Sequence, residues 1–376
     1  MKLVFILQSI YRIGGTEKAT IDQANLISDS TNNEVHIISL YQEVESEHRV
    51  NHYISDKIKV HFLHKKIVLL KYSDTIYNLV DLIYKKKTVS LIKSLNPTLC
   101  IFTSVKLMTA SLPCPAILMA HFRFSHFISG KVTRFYLDKY HKLFERVIFL
   151  TEEDMRSYQS HYKSGNGEYI FNYCHVTARM KSDFSNKRIA YIGRIDNSQK
   201  QLSHALEIIA GLIRDNVFNG WRFDLYGTGN DVELIKNKIK SLELCDSVNF
   251  MGKYNSLDSV LEKTDLLILT SRFEGLPLSL IEGALSGIPL ISYNCSPGIS
   301  DIIENGYNGF IIEQDNKDEF RARVSELILN NEKLKKFGEN SFSLAQRKFS
   351  KEVILQKWNS VLVSCELISK DKGKHR

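Results

Sequence analysis

Short apolar runs alternate with amphipathic stretches along most of this 376-residue chain. In the first half, Leu3–Leu7, Val35–Leu40, Lys59–Leu63, Thr98–Phe102, Ala116–Met119 and Val147–Leu150 predict strands. Apolar residues at helical spacing cover Glu17–Ile27, Thr75–Ser94, Lys131–Leu143 and Glu152–Ser160. Near-continuous apolar strands alternating with helices imply a parallel sheet covered on both faces. The pattern then restarts, with strands at Arg188–Ile192, Arg222–Tyr226, Ser247–Met251, Leu266–Thr270, Pro289–Ser292 and Gly309–Ile312. Helices fall between them near Leu202–Arg214, Asp231–Ser241, Leu257–Lys263 and Ser279–Ser286. The strand Glu168–Phe171 and the polar stretch His175–Lys187 separate the two series. Beyond Lys317 the pattern is helical, closing with an amphipathic stretch from Lys351 to Ile368 and a charged tail from Ser369, where fraying is expected. The expected fold is α/β, with two Rossmann-like doubly wound domains over residues 1–174 and 175–350 facing a central cleft. Residues 351–376 form a C-terminal helix returning to the first domain.

Composition agrees with a soluble globular chain: 43% hydrophobic and 24% charged residues, with six prolines and nineteen glycines. The net charge is +8, which admits nucleic acid, anionic lipid or phosphorylated ligands. Its distribution narrows that choice. Residues 1–180 carry 23 basic and 16 acidic side chains, whereas residues 181–376 carry 27 and 26. Nine lysines lie between Lys57 and Lys93 against only Asp74 and Asp81. Those lysines lack the interleaved aromatics of a strand-binding groove, so no nucleic-acid partner is expected. The six cysteines have no recurrent spacing and read as free thiols in a reducing compartment. Met1–Ile10 reads as a buried first strand, too short for an export segment, and no apolar run approaches a membrane span.

Candidate chemistry gathers at the predicted strand ends, where open parallel sheets place their ligands. The densest stretch is Thr270-Ser271-Arg272-Phe273-Glu274-Gly275-Leu276-Pro277, running into a helix that carries Glu282. Amide groups at that helix start suit an anion, and two carboxylates suit sugar hydroxyls. By themselves, Glu274 also reads as a helix cap and Glu282 as a solvated surface group. Gly193-Arg194 follows a strand, and Lys200 stands six residues on; a fork-shaped and a point cation fit a diphosphate, though a solvated loop fits too. Gly14-Gly15 precedes the first helix without a full dinucleotide fingerprint. His121 follows the strand Ala116–Met119, and Gly227-Thr228-Gly229 follows Arg222–Tyr226. There is no Asp-x-Asp motif and no His/Cys cluster at metal spacing, so no obligatory metal or other cofactor is expected.

In this order, these segments resemble the glycosyltransferases of family four, which have the GT-B fold. The match covers roughly the whole chain and is strongest over Arg188–Ile312: the Glu274/Glu282 pair, Gly193-Arg194 with a downstream Lys, the Gly-Thr-Gly turn, Phe250-Met251-Gly252, and Gly287-Ile288-Pro289 before a strand. The resemblance implies that Arg194 and Lys200 bind the donor diphosphate, helped by Gly15 and by backbone near Gly275 and Leu276. It implies that Glu282 holds the ribose, that Gly252, Lys253, Tyr254 and Gly227 lie by ribose and base, and that Glu274 and His121 meet the transferred sugar as catalytic groups. It further implies transfer of a hexose or N-acetylhexosamine with retention of configuration. The donor would be a UDP-linked sugar. The acceptor would be a glycan bound by the first domain, a lipid-linked saccharide of surface polysaccharide synthesis. A nucleotide-sugar epimerase and a non-catalytic nucleotide-sugar-binding component of an assembly complex are the alternatives. Three positions depart from the family: Gln201 and Gly283 stand where Gly and Ala are usual, and Asp301 where Glu is common.

The basic segment adds a partner. Ile76, Leu79, Val80, Ile83 and Tyr84 recur at helical spacing beside Lys85, Lys86 and Lys87, with Lys65, Lys66 and Lys71 upstream. Such a surface suits an anionic membrane, although a solvated face over a core helix has the same pattern. The expected location is the cytoplasm, peripheral on the inner face of the cell membrane.

Overall fold

The computed structural model describes residues 1–11, 14–40, 53–63, 86–121, 123–177, 179–181 and 183–374. The chain divides into two compact units: Met1–Tyr173 with Lys351–Arg376, and Cys174–Ser350.

In the first unit, seven strands form one parallel sheet: β1 (Lys2–Leu7), β2 (Glu34–Ser39), β3 (Lys59–Phe62), β4 (Leu99–Phe102), β5 (Ala116–Ala120), β6 (Arg146–Phe149) and β7 (Gly167–Tyr169). Their order is β3-β2-β1-β4-β5-β6-β7, so the winding reverses between β1 and β4. The middle strands are buried on both faces, which is why they read as unbroken apolar runs. The helix Gly15–Ser30 joins β1 to β2. The C-terminal helix, Lys351–Lys374, belongs to this unit through a buried chain of hydrogen bonds. Trp358 Nε1 donates to Gln23 Oε1 at 2.6 Å, and Gln23 Nε2 donates to the Phe171 carbonyl at 3.1 Å. The tail expected to fray from Ser369 is helical as far as Lys374, since no proline interrupts it.

The second unit repeats the scheme with six parallel strands: β8 (Arg188–Ile192), β9 (Arg222–Tyr226), β10 (Val248–Gly252), β11 (Leu266–Leu269), β12 (Leu290–Tyr293) and β13 (Gly309–Ile312). The order β10-β9-β8-β11-β12-β13 reverses between β8 and β11. The Leu-Leu-Ile-Leu run of β11 is wholly buried, and the helix Leu278–Leu285 packs beside it. At Gly283 a Cβ would come within 3.0 Å of Leu267 Cδ2 and 3.2 Å of Leu290 Cδ2. The glycine lets this helix lie close to the sheet. Asn330 starts the helix Asn331–Phe349 by accepting from Lys333 N at 2.9 Å, a cap worth about 1 kcal/mol.

Both doubly wound sheets follow the hydrophobic pattern, with strand ends displaced by a residue or two. Among the described residues, three short α-helices were not indicated by it: Phe124–Ser129, Asn197–Lys200 and Gly298–Ile302. Each is too short to display a 3.6-residue period. Of the helix expected over Thr75–Ser94, residues 75–85 lie outside the described residues, and residues 86–95 are helical.

Candidate functional site

The carboxyl ends of β8 and β11 flank the reversal point of the second sheet, where a parallel sheet opens its crevice. Gly193 and Arg194 leave β8, and Thr270 to Glu274 leave β11. Between them lies the single-turn helix Asn197–Lys200, which presents Lys200 to Glu274. Lys200 Nζ donates to Glu274 Oε1 at 2.5 Å, and Ser271 Oγ donates to the same oxygen at 2.6 Å. The lysine and glutamate side chains are 15% and 10% exposed, so this is a largely desolvated ion pair. Removing one partner of such a pair leaves a charge uncompensated. Thr270 Oγ1 lies within hydrogen-bonding distance of the carbonyls of both Lys200 and Gln201, at 3.0 and 3.2 Å. Gln199 joins the loops as well: its carbonyl accepts from Arg272 N at 2.7 Å and its Nε2 donates to the Phe273 carbonyl at 3.2 Å.

Arg194 differs from Lys200 in exposure. Its side chain is 57% exposed, donates to Gln199 Oε1 at 2.7 Å and lies 3.4 Å from Asp196. Asp196 caps the single-turn helix, and the Ser198 hydroxyl holds its carboxyl below the usual range. Tyr191 donates its phenol to the Arg194 carbonyl at 2.7 Å, and burial, reinforced by the Glu274 charge, pushes that phenol up.

The loops after β8 and β9 meet backbone to backbone. Gly193 N donates to the Tyr226 carbonyl, Ile195 N to Thr228 and Gly227 N to Gly252. Gly227 has φ +140°, and a Cβ there would stand 1.8 Å from the Gly193 carbonyl oxygen. Only glycine fits that backbone and that approach. Gly252 also has a left-handed φ, +66°. Lys253 and Tyr254 follow it and are exposed, with Tyr254 edge-on to Tyr226 at 6.3 Å between ring centroids.

The helix carrying Glu282 begins at Leu278, with Pro277 at its cap and no side-chain cap hydrogen bond. Glu274 therefore does not cap it. Glu282 is 3% exposed and is not a solvated surface group. The Leu276 side chain is buried, and the Gly275 carbonyl accepts from Ser296 Oγ at 3.0 Å. Arg194, Lys200, Gly227, Lys253, Tyr254, Glu274, Gly275, Leu276 and Glu282 thus all lie in loops after strands of this one sheet or in the helix that follows, and Gly252 is the last residue of β10. Sequence reading assigned no role to Ser271, Gln199 or Ser296; the first two stand three residues before Glu274 and one before Lys200. Ser296 becomes legible only in three dimensions.

Gly15 and His121 belong to the first unit. Gly15 opens the helix after β1, whose cap residue Gly14 has no side chain to offer, and a Cβ at Gly15 would meet no atom within 4 Å. His121 follows β5, with its Nε2 3.2 Å from Thr20 Oγ1. Thr20 already donates its hydroxyl proton to the Thr16 carbonyl at 2.7 Å, so His121 Nε2–H is the donor and Nδ1 the basic nitrogen. Burial drives the imidazole down to about 4, and the ring is neutral at pH 7.

Lys65, Lys66, Lys71 and Lys85 lie outside the described residues, while Lys86 and Lys87 are exposed at the start of the helical residues 86–95. Among the described residues no helix is long and apolar enough to cross a membrane, and no three His, Cys, Asp or Glu side chains are grouped to hold a metal.

Comparison with known proteins agrees with this architecture. The family of glycosyl transferases group 1 matches residues 178–343. An uncharacterized glycosyltransferase of Haemophilus influenzae is 27% identical over 96% of this chain and 99% of its own. A Campylobacter jejuni protein, GalNAc-alpha-(1->4)-GalNAc-alpha-(1->3)-diNAcBac-PP-undecaprenol alpha-1,4-N-acetyl-D-galactosaminyltransferase, is 25% identical over 95% of this chain and 97% of its own. Among solved structures, a TarM variant from S. aureus, in complex with Fondaparinux, alpha-GlcNAc-glycerol and UDP, superposes with a TM-score of 0.80. It shares 16% identity and covers 96% of this chain and 99% of its own. Two parallel sheets and this superposition give the chain the GT-B fold. The family match falls on the unit that carries Lys200, Glu274 and Glu282.

Proposed function

We propose that the protein moves a hexose or N-acetylhexosamine from a UDP-linked donor, with retention of configuration, to a lipid-linked saccharide in surface polysaccharide synthesis. The observation that carries this reading is the desolvated Lys200–Glu274 pair beside Arg194 at the reversal point of the second sheet. An arriving diphosphate competes with Glu274 for Lys200 and takes a second cation from the exposed Arg194. The Glu274 carboxylate, released in part, faces sugar hydroxyls, and Glu282 takes the ribose. Leaving-group charge is balanced by Lys200, Arg194 and the amides near Leu276 and Leu278, with no metal ion required. No side chain of this set is a covalent nucleophile, so the acceptor hydroxyl attacks on the face the diphosphate leaves. The relatives' names support the acceptor class, since the Campylobacter jejuni protein is named for an undecaprenol-linked saccharide. UDP in the TarM complex supports the donor class.

Attachment to an anionic membrane on its cytoplasmic side belongs to the same reading. Exposed Lys86 and Lys87 support it, as does the helix Lys131–Tyr140, where Phe135 is 61% exposed one turn from both Lys131 and Lys139.

A panel of labelled nucleotide sugars incubated with a membrane lipid extract tests the reading. Label passing into the organic phase from a UDP-sugar, with the donor's anomeric configuration kept and EDTA without effect, is the expected result. Donor conversion without acceptor would instead indicate an epimerase, and donor binding without turnover a non-catalytic component. Pelleting should occur with anionic but not neutral liposomes; failure to pellet with either removes the membrane.

A further inference from the structure

Gln201 is the residue between the single-turn helix that carries Lys200 and the long helix Leu202–Arg214, and it has φ +47°. A left-handed backbone at this hinge is where glycine is at ease. Gln201 stays although its side chain is buried, and the structure shows where that side chain goes. Its Nε2 donates to Asp315 Oδ1 at 2.8 Å, and its Oε1 accepts from Gln314 Nε2 at 2.7 Å. Gln314 and Asp315 follow β13, more than a hundred residues further along the chain and beyond the far edge of the loops described above. Asp315 itself has φ +66° and also lies 3.6 Å from His204.

We propose that Gln201 is a positioning residue: its clasp on Asp315 and Gln314 holds the peptide that carries Lys200, and thereby sets where the Lys200 ammonium stands for a diphosphate. The geometry is continuous. Thr270 Oγ1 engages the carbonyls of both Lys200 and Gln201 from one side, while the Gln201 side chain anchors the hinge from the other. Lys200 reaches Glu274 from the end of that held turn. Replacing Gln201 by glycine relaxes the backbone and removes the clasp, so it separates positioning from folding.

The inference rests on the donor-site reading above, and its test keeps the two apart. UDP and uridine binding are measured by calorimetry on the whole chain, for the unaltered protein, Gln201→Gly, Asp315→Ala and Asp315→Asn. Loss of the part-buried Gln201–Asp315 hydrogen bond predicts about three- to tenfold weaker UDP binding in Gln201→Gly and Asp315→Ala, with uridine, which has no phosphate, bound as before. Asp315→Asn keeps an acceptor oxygen and restores UDP binding. In a Lys200→Ala background Gln201→Gly causes no further loss, because its effect passes through Lys200. Unchanged UDP affinity in Gln201→Gly and Asp315→Ala, equal losses for uridine, or a full loss persisting without Lys200 each overturn the inference. If the unaltered chain binds neither UDP nor uridine, the donor-site reading falls, and this one with it.

Discussion

The two sheets are wound alike, yet their strand ends are held by different means. In the second unit the loops after β8, β9 and β11 are joined through backbone hydrogen bonds, the close approach at Gly227, and the Lys200–Glu274 pair. In the first unit the region after β5 and β6 is held by rings: Phe124 lies edge-on to Phe149, Tyr158 and Tyr162, and Tyr162 packs against His141 at 4.2 Å between ring centroids. Polar contacts accompany the rings there: Phe124 N donates to Asp154 Oδ1 at 2.8 Å, Thr151 Oγ1 donates to Asp154 Oδ2 at 2.7 Å, and His121 Nε2 lies 3.2 Å from Thr20 Oγ1. In the proposed function the second unit's strand ends hold a diphosphate, and the contrast follows from that demand. A diphosphate needs cations and amides placed to within fractions of an ångström, which loops achieve only when every backbone group is committed. An apolar ring cluster tolerates small shifts and suits a surface with looser positional demands.

Loss of the second unit's polar pair should have the largest consequence. Lys200→Ala and Glu274→Ala are each expected to lower kcat/KM for transfer by about a hundred- to a thousandfold. Full activity in both variants removes the site from these loops. Next, Gly227→Ala forces a Cβ onto the Gly193 carbonyl oxygen and should destabilise the second unit by about 2–4 kcal/mol. Segment-resolved hydrogen exchange would show protection falling in residues 174–350 and holding in the first unit; a uniform loss would mean the units are not independently stable.

The first unit supplies the third prediction. His121 titrates at about 4 when folded, against an ordinary 6.5. Between those values the folded state binds fewer protons than the unfolded one, so the contribution of the neutral imidazole is complete above pH 6.5 and is lost as pH falls towards 4. His121→Gln should flatten the decline of first-unit stability over that window, followed by the same exchange experiment. An unchanged slope would assign the decline to other groups. The smallest effect is expected at Gly283, where the atoms a Cβ would meet are leucine methyl groups able to yield. Gly283→Ala should stabilise the second unit by up to about 1 kcal/mol through helix propensity, with transfer unchanged; a lower Tm would show that the leucines cannot move.

Most of the second unit's candidate site was legible before any coordinates because its chemistry is local. Glu274, Gly275 and Glu282 fall within nine residues, and Arg194 and Lys200 within seven. Burial was not legible: Glu282 looks the same in sequence whether solvated or enclosed, and Lys200 and Arg194 look alike although one is desolvated and the other open. The single-turn helix bearing Lys200 escaped notice since four residues carry no period. Gln201 was seen only as a departure from glycine. Its left-handed backbone and its partners at Gln314 and Asp315 depend on contacts more than a hundred residues apart.

Periodicity and the punctuation of glycine and proline were enough to determine two doubly wound sheets and the chemical types gathered at their strand ends, because both rest on interactions between residues near in sequence. Which side chains lost their water, which glycine a neighbouring carbonyl demands, and which residue braces Lys200 were decided by the tertiary structure alone. Each is a matter of packing, and packing brings together residues that sequence spacing leaves unconnected.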